Sequence, residues 1–213
     1  MRWMIGLVLT LSLFGSANLS LAQSDTSRWE TYRSPDGLLS LQQPARWVTA
    51  PNAVDLDGVT LANSSSALQR IAQPEQALRP HDQAMVLLLI SFEKLQAWGY
   101  EVDAQTPQAD LTISLSDLIM GTEQSETILE APISLTLAKG QGVKAGQLLT
   151  VQPFTNGPLR QSGLVSVRAL NDEVALLAAA FAHPARYNAQ LESLFGQIIG
   201  SVAYQGGADD LSD

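Results

Sequence analysis

Residues Tyr32 to Pro51, YRSPDGLLSLQQPARWVTAP, decide how this chain is read, because they set a turn, a strand end and a tryptophan in order. Ser34-Pro35-Asp36-Gly37 is a turn with a mechanism: proline presets φ at the second position, aspartate suits the third, and glycine can leave with φ > 0. Ahead of it, Trp29-Glu30-Thr31-Tyr32-Arg33 alternates apolar and polar side chains, the period of a strand. Leu38 to Gln43 resumes that pattern, so residues 29 to 43 are predicted to form a hairpin. Pro44 has no N–H to donate and ends the ladder. Trp47 follows on a short extended piece and is expected to pack over the hairpin's apolar face as core, not as a ligand platform.

Toward the N-terminus, Met1-Arg2-Trp3 carries one positive charge, residues 4–14 (MIGLVLTLSLF) form an apolar run, and Ser20-Leu21-Ala22 offers the small residues a signal peptidase reads. This layout predicts a secretory signal peptide over residues 1–22, cleaved after Ala22. The apolar run is shorter than the roughly 20 residues that cross a bilayer. Gln23 stands where a lipoprotein needs cysteine. The expected organisation is a flexible mature N-terminus (23–28), a single domain (29–204) and an acidic disordered tail (205–213), located outside the cytoplasm, secreted or periplasmic or associated with the cell surface.

The formal net charge is −9, and the three lysines, Lys94, Lys139 and Lys144, do not cluster. No basic stripe is available to neutralise phosphates, which argues against nucleic acid and against anionic lipid surfaces. There is no cysteine, so neither disulfides nor thiolate chemistry can contribute, and cohesion has to come from burial.

Farther along, VDLDGVTLAN (54–63) gives a turn at Asp57-Gly58 and a strand over 59–62. The serines that follow cap a short helix running through Ile71. AMVLLLISF (84–92) is too apolar for a half-exposed strand and is read as central, buried on both faces. Residues 93–110, interrupted by Gly99 and Pro107, show no clear period, and 114–121 read as a short helix capped by Ser114 or Ser116. Residues 133–138 and 147–152 are strands joined by a glycine-rich turn, and 163–181 form a hairpin about Asn171-Asp172. Pro184 is expected to open the one strong amphipathic helix, with Tyr187, Leu191, Leu194, Phe195, Ile198 and Ile199 along one side. The pattern predicts an α+β fold: an α-β-α sandwich around a central, mainly antiparallel sheet, with a long C-terminal amphipathic helix.

In this order, "YRSPDGLLSLQQPARW", "GVTLANSSSAL", a hydrophobic strand, a late hairpin and "PARYNAQLESLFGQIIGSVAY" together resemble the PsbP-like superfamily. That superfamily includes the extrinsic photosystem II protein P, a Ran-binding import factor and exported bacterial proteins of unassigned function, to which the match is nearest. The residues that carry the resemblance are Asp36-Gly37, Pro44, Trp47, Ser201 and Val202-Ala203-Tyr204, and it spans about 29 to 204. It implies the same sandwich and partners that are proteins, and it transfers no catalytic residue.

His81 lies in a polar loop and His183 just before the last helix; no G-x-S-x-G elbow and no H-E-x-x-H pattern occurs. Asp55 and Asp57 are the candidate calcium ligands, but the ligand series of a calcium loop is missing. Gly140-Gln141-Gly142-Val143-Lys144-Ala145-Gly146 looks superficially like a dinucleotide loop, yet a strand and not a helix follows. The expectation is a non-catalytic binding or accessory module, without cofactor, engaging an envelope or extracellular protein. Its contacts are placed at the sheet edge and at Trp98, Tyr100, Gly140, Gly142 and Lys144. The alternative is a carrier of a small molecule or calcium, with its pocket between sheet and helices.

Overall fold

Strand β10, Val174–Ala182, reads VALLAAAFA and is buried at every position. Its alternate residues feed different clusters: Val174, Leu176, Ala178, Ala180 and Ala182 enter one, Ala175 and Leu177 another. A strand with no side chain to show to water has to sit at the centre of a sheet covered on both faces. In the computed structural model, which describes residues 28–52, 56–73, 76–120, 126–140 and 142–211, β10 lies there. It pairs antiparallel with β5 (Gln83–Ser91) and β9 (Gln161–Ala169). The large sheet continues outward through β4 (Gly58–Ala62) to β3 (Val48–Pro51) on the β5 side. On the β9 side it continues through β8 (Leu148–Asn156) to β6 (Thr127–Leu129), with β7 (Ile133–Thr136) also on β8. Every pairing is antiparallel.

Helix α4 (Ala189–Ser201) covers one face, burying Leu191, Leu194, Phe195, Ile198 and Ile199 with Met85, Leu87 and Leu176. Helices α2 (Phe92–Ala97) and α3 (Gln108–Met120) cover the other, where Leu95, Leu111 and Leu115 meet Ile90, Val167 and Leu177. The short α1 (Ser65–Ile71), capped by the Ser64 side chain, packs near the β3–β4 side. This is the expected α-β-α sandwich. The opening hairpin forms as read, β1 (Trp29–Arg33) against β2 (Leu39–Pro44), with the Gly37 N–H donating to the Ser34 carbonyl. It belongs to a separate three-stranded sheet completed by β11 (Ala203–Tyr204). Trp47 is 5% exposed, inside the α4-side core.

Three expectations change. The helix expected over 114–121 begins six residues earlier, after Pro107, and Ser116 is a buried interior residue instead of a cap. The last helix begins at Ala189, capped by Asn188 Oδ1; Pro184 instead sits in a turn closed by N–H groups of Arg186 and Tyr187 on the His183 carbonyl. The tail is ordered through Leu211. The Gln205 N–H donates to the Leu38 carbonyl, Asn171 Nδ2 to the Gly206 carbonyl and the Ala208 N–H to Glu173 Oε2, while Leu211 packs on the core. Those backbone partners outweigh the polar composition that suggested disorder. The expected signal peptide and most of the flexible N-terminal segment lie outside the described residues.

Candidate interaction surface

One margin of the large sheet is built from two short strands on the same strand, β8. Thr127 to Leu129 of β6 pair with Asn156 to Phe154, and Ile133 to Thr136 of β7 pair with Val151 to Leu148. Between them residues 130–132 oppose only two on β8, a bulge that Pro132 favours by lacking an N–H. The Glu130 N–H still reaches the Pro153 carbonyl at 2.8 Å, so the margin is one interrupted strand. Among the described residues no strand lies beyond it.

Two large apolar side chains stand on this margin. Ile128 is 67% exposed and Ile133 41%. Ile133 is opposite Val151, which faces α4; Ile128 is opposite Thr155, four residues on along the same strand and so on the same face. Leu135, farther along, turns into the α4-side core. Tyr187, half-buried against the α4-side core and near the Glu130 carboxylate of this margin, has a hydroxyl that meets no acceptor at hydrogen-bonding geometry. Burial, and then the carboxylates of Glu192 and Glu130, raise its pKa above the usual phenol value.

The glycine-rich turn continues from β7. The Leu137 N–H donates to the Gln147 carbonyl, the Gly146 N–H returns to the Leu137 carbonyl, and Gly140 bridges Val143. Val143 is buried, and Gly142, at φ +76°, lies against the end of α4, where an added Cβ would come within 3.3 Å of Ser201 Cβ. Gly140 sits beside Gln197 and Lys144 is exposed. The turn leads into β8 and presents no helix N-terminus to a pyrophosphate.

Trp98 and Tyr100 are placed elsewhere. Trp98, 47% exposed, follows α2, and Tyr100 packs half-buried against the cluster on the α3 side. Tyr100 borders a shallow depression of about 450 Å³ lined also by Gln96, Glu101 and Asp103 among others. The five residues read as partner contacts therefore form two groups, Gly140, Gly142 and Lys144 in the turn beside α4, and Trp98 and Tyr100 after α2 on the other side of the large sheet. Of the calcium candidates, Asp55 lies outside the described residues, and the Asp57 carbonyl accepts from the Leu89 N–H at 2.7 Å. Among the described residues no three His, Asp or Glu side chains converge on a point that would hold a metal ion. His183 Nδ1 accepts the Ala185 N–H.

Sequence reasoning missed β6 and with it Ile128. Three residues give no measurable alternation, and only the β-branched pair Thr127-Ile128 hinted at a strand.

No protein-family model matches this chain, and no curated protein does. Among solved structures, the chain is similar to the solution structure of cyanobacterial PsbP (CyanoP) from Synechocystis sp. PCC 6803. The identity is 12% and the TM-score 0.49, over 83% of this chain and 92% of that one. That neighbour comes from the superfamily that the sequence motifs resemble. Nothing about activity or partners passes between chains so distantly alike, and the fold class stands on the topology described above. No described helix is long and apolar enough to cross a membrane.

Proposed function

We propose that this protein is a non-catalytic binding module of the cell envelope or extracellular space, which takes an extended segment of a partner protein along the β6–β7 margin. The observation that carries this reading is the placement of Ile128 and Ile133, exposed on one face of a sheet edge beyond which no strand lies among the described residues. An added strand would pair with the outward main-chain groups of the edge while its alternate side chains covered both isoleucines. The 139–146 turn, with Lys144, flanks the same margin; Trp98 and Tyr100 would form a separate contact. The net charge of −9 favours a neutral or basic partner segment. Export is part of the proposal and rests on the leader-like residues 1–22.

Affinity capture from the native envelope, run in parallel with wild type and with the Ile128→Glu/Ile133→Glu variant, tests this. A protein retained by wild type and lost by the variant supports strand addition at this edge. Equal recovery by both overturns it. A carrier of small molecules is the second reading, favoured by a cleft lined by Arg168, which has no carboxylate partner among the described residues.

A further inference from the structure

The ladder between β8 and β9 stops at Gln152↔Val165, and beyond that point the strands part. In the gap, at the start of α3, lies a cleft of about 300 Å³. Its walls combine Leu111, Leu148 and Ala169 with the polar side chains of Gln108, Gln147 and Arg168. Gln108 is engaged, its amide bridging Ser166 Oγ and the Thr150 N–H, each at 3.3 Å. The Gln147 side chain is half-exposed and makes no hydrogen bond to another described residue.

Arg168 is the unusual member. Its Nη2 donates to the Val202 carbonyl, while its Nε is buried and meets no acceptor. Among the described residues the ion pair is Arg70 with Asp82, and no carboxylate lies within ion-pair distance of Arg168. Asp103, in the loop leading to the cleft, is turned back onto the N–H groups of Gln105 and Thr106. Burial pulls the Arg168 pKa down to about 10, which leaves the guanidinium charged at neutral pH. A largely buried cation with one donor left without an acceptor is costly, and an anion that supplies the missing acceptor removes that cost.

We propose that this cleft binds a small organic carboxylate, its head group held by the Arg168 guanidinium and the Gln147 amide, and its short apolar body lying on Leu111 and Leu148. The apolar walls favour an amphiphile over a bare, strongly hydrated oxyanion. Leu148 is 64% exposed at the cleft and would be covered by such a body. The volume lies at the lower limit of small-ligand sites, which sets the ligand at a few carbon atoms. This site is independent of the strand-addition edge, so either can fail without the other.

Isotope-labelled full-length chain titrated with butyrate, butyramide and inorganic phosphate at millimolar concentration tests the site by NMR. Butyrate should shift the Arg168 Nε–H and the Leu148 methyl resonances saturably, and butyramide should shift neither. Arg168→Lys, which loses the fork, should weaken binding about tenfold, and Gln147→Ala should weaken it severalfold. Should Arg168→Lys fail to fold, the wild-type resonances and Gln147→Ala decide. Absence of a saturable shift, or equal binding by the folded variants, overturns the site. A response to phosphate at Nε–H with none to butyrate at Leu148 overturns the carboxylate assignment in favour of a bare oxyanion.

Discussion

The indole of Trp47 meets the ring of Phe195 edge-on, with centroids 6.4 Å apart and planes at 69°. This contact joins the corner after the opening hairpin to the middle of α4, and so ties the small sheet to the α4 layer. Edge-to-face pairs of this kind add to the burial of both rings. Trp47 Nε1, however, is buried without an acceptor. Trp47→Ala should therefore destabilise by about 3–5 kcal/mol, as large core truncations do. Trp47→Phe should cost far less, because it sheds an unsatisfied donor while keeping a ring in place. Urea denaturation of the two variants separates them, and equal losses would mean that the indole N–H is satisfied.

Thr112 does the work of a missing strand neighbour. It is fully buried on α3, and its Oγ1 both accepts the Val167 N–H at 3.1 Å and donates to the Val167 carbonyl at 3.3 Å. One turn on, Ser116 Oγ lies against Gln152 Oε1, and Gln152 Nε2 donates to the Glu130 carbonyl. Thr112→Val keeps the shape and strands both backbone groups, and should cost about 2 kcal/mol. Thr112→Ser, which retains the oxygen, should cost clearly less in the same denaturant series. If valine is tolerated as well as serine, water has replaced the hydroxyl.

That polar stripe also explains what could and could not be read from the chain. The β9–β10 hairpin and strand β5 were legible because buried strands leave long apolar runs bounded by turn residues, as in residues 163–181. The start of α3 was not, because Gln108, Thr112 and Ser116 fall at helical spacing but face the sheet, where polar side chains stand in for ladder bonds. Apolar periodicity is blind to a helix that buries hydroxyls. Serine at 114 and 116 then suggested a cap, although Pro107, preset for a first turn, marked the true beginning. Turn chemistry marks the loops that carry Trp98 and Gly142, but it does not show that one follows α2 while the other lies beside α4, on opposite sides of the large sheet. The parting of β8 from β9, which creates the Arg168 cleft, is a tertiary event with no local signature.

The ordered tail gives a prediction opposite to that of a disordered one. Gln205, Gly206 and Ala208 each make a main-chain hydrogen bond to the body of the protein, and Leu211 packs on the core. Deleting residues 205–213 should lower stability by about 2 kcal/mol, from three modest hydrogen bonds and one partly buried leucine. Hydrogen exchange gives a second readout, with the Gln205 and Ala208 amides protected in the intact chain. Rapid exchange at both, together with an unchanged denaturation midpoint on deletion, would show the tail to be loose.

Tyr187 predicts how stability falls in alkali. A phenol ordinarily ionises near pH 10, and burial, followed by Glu192 and Glu130, holds the folded group above that. Below pH 10 the hydroxyl is protonated in both states, and its contribution is fully present. Above that value the unfolded chain loses the proton while the folded chain keeps it. The unfolded state then binds fewer protons, and stability declines with rising pH until the folded group ionises too. Tyr187→Phe removes this component, so its stability should decline less steeply above pH 10. Tyr32 and Tyr204 are raised in the same direction, which leaves a residual slope in the variant. Denaturation midpoints of both chains, taken on either side of the phenol's ordinary value, measure the difference; identical slopes would place the Tyr187 hydroxyl in water.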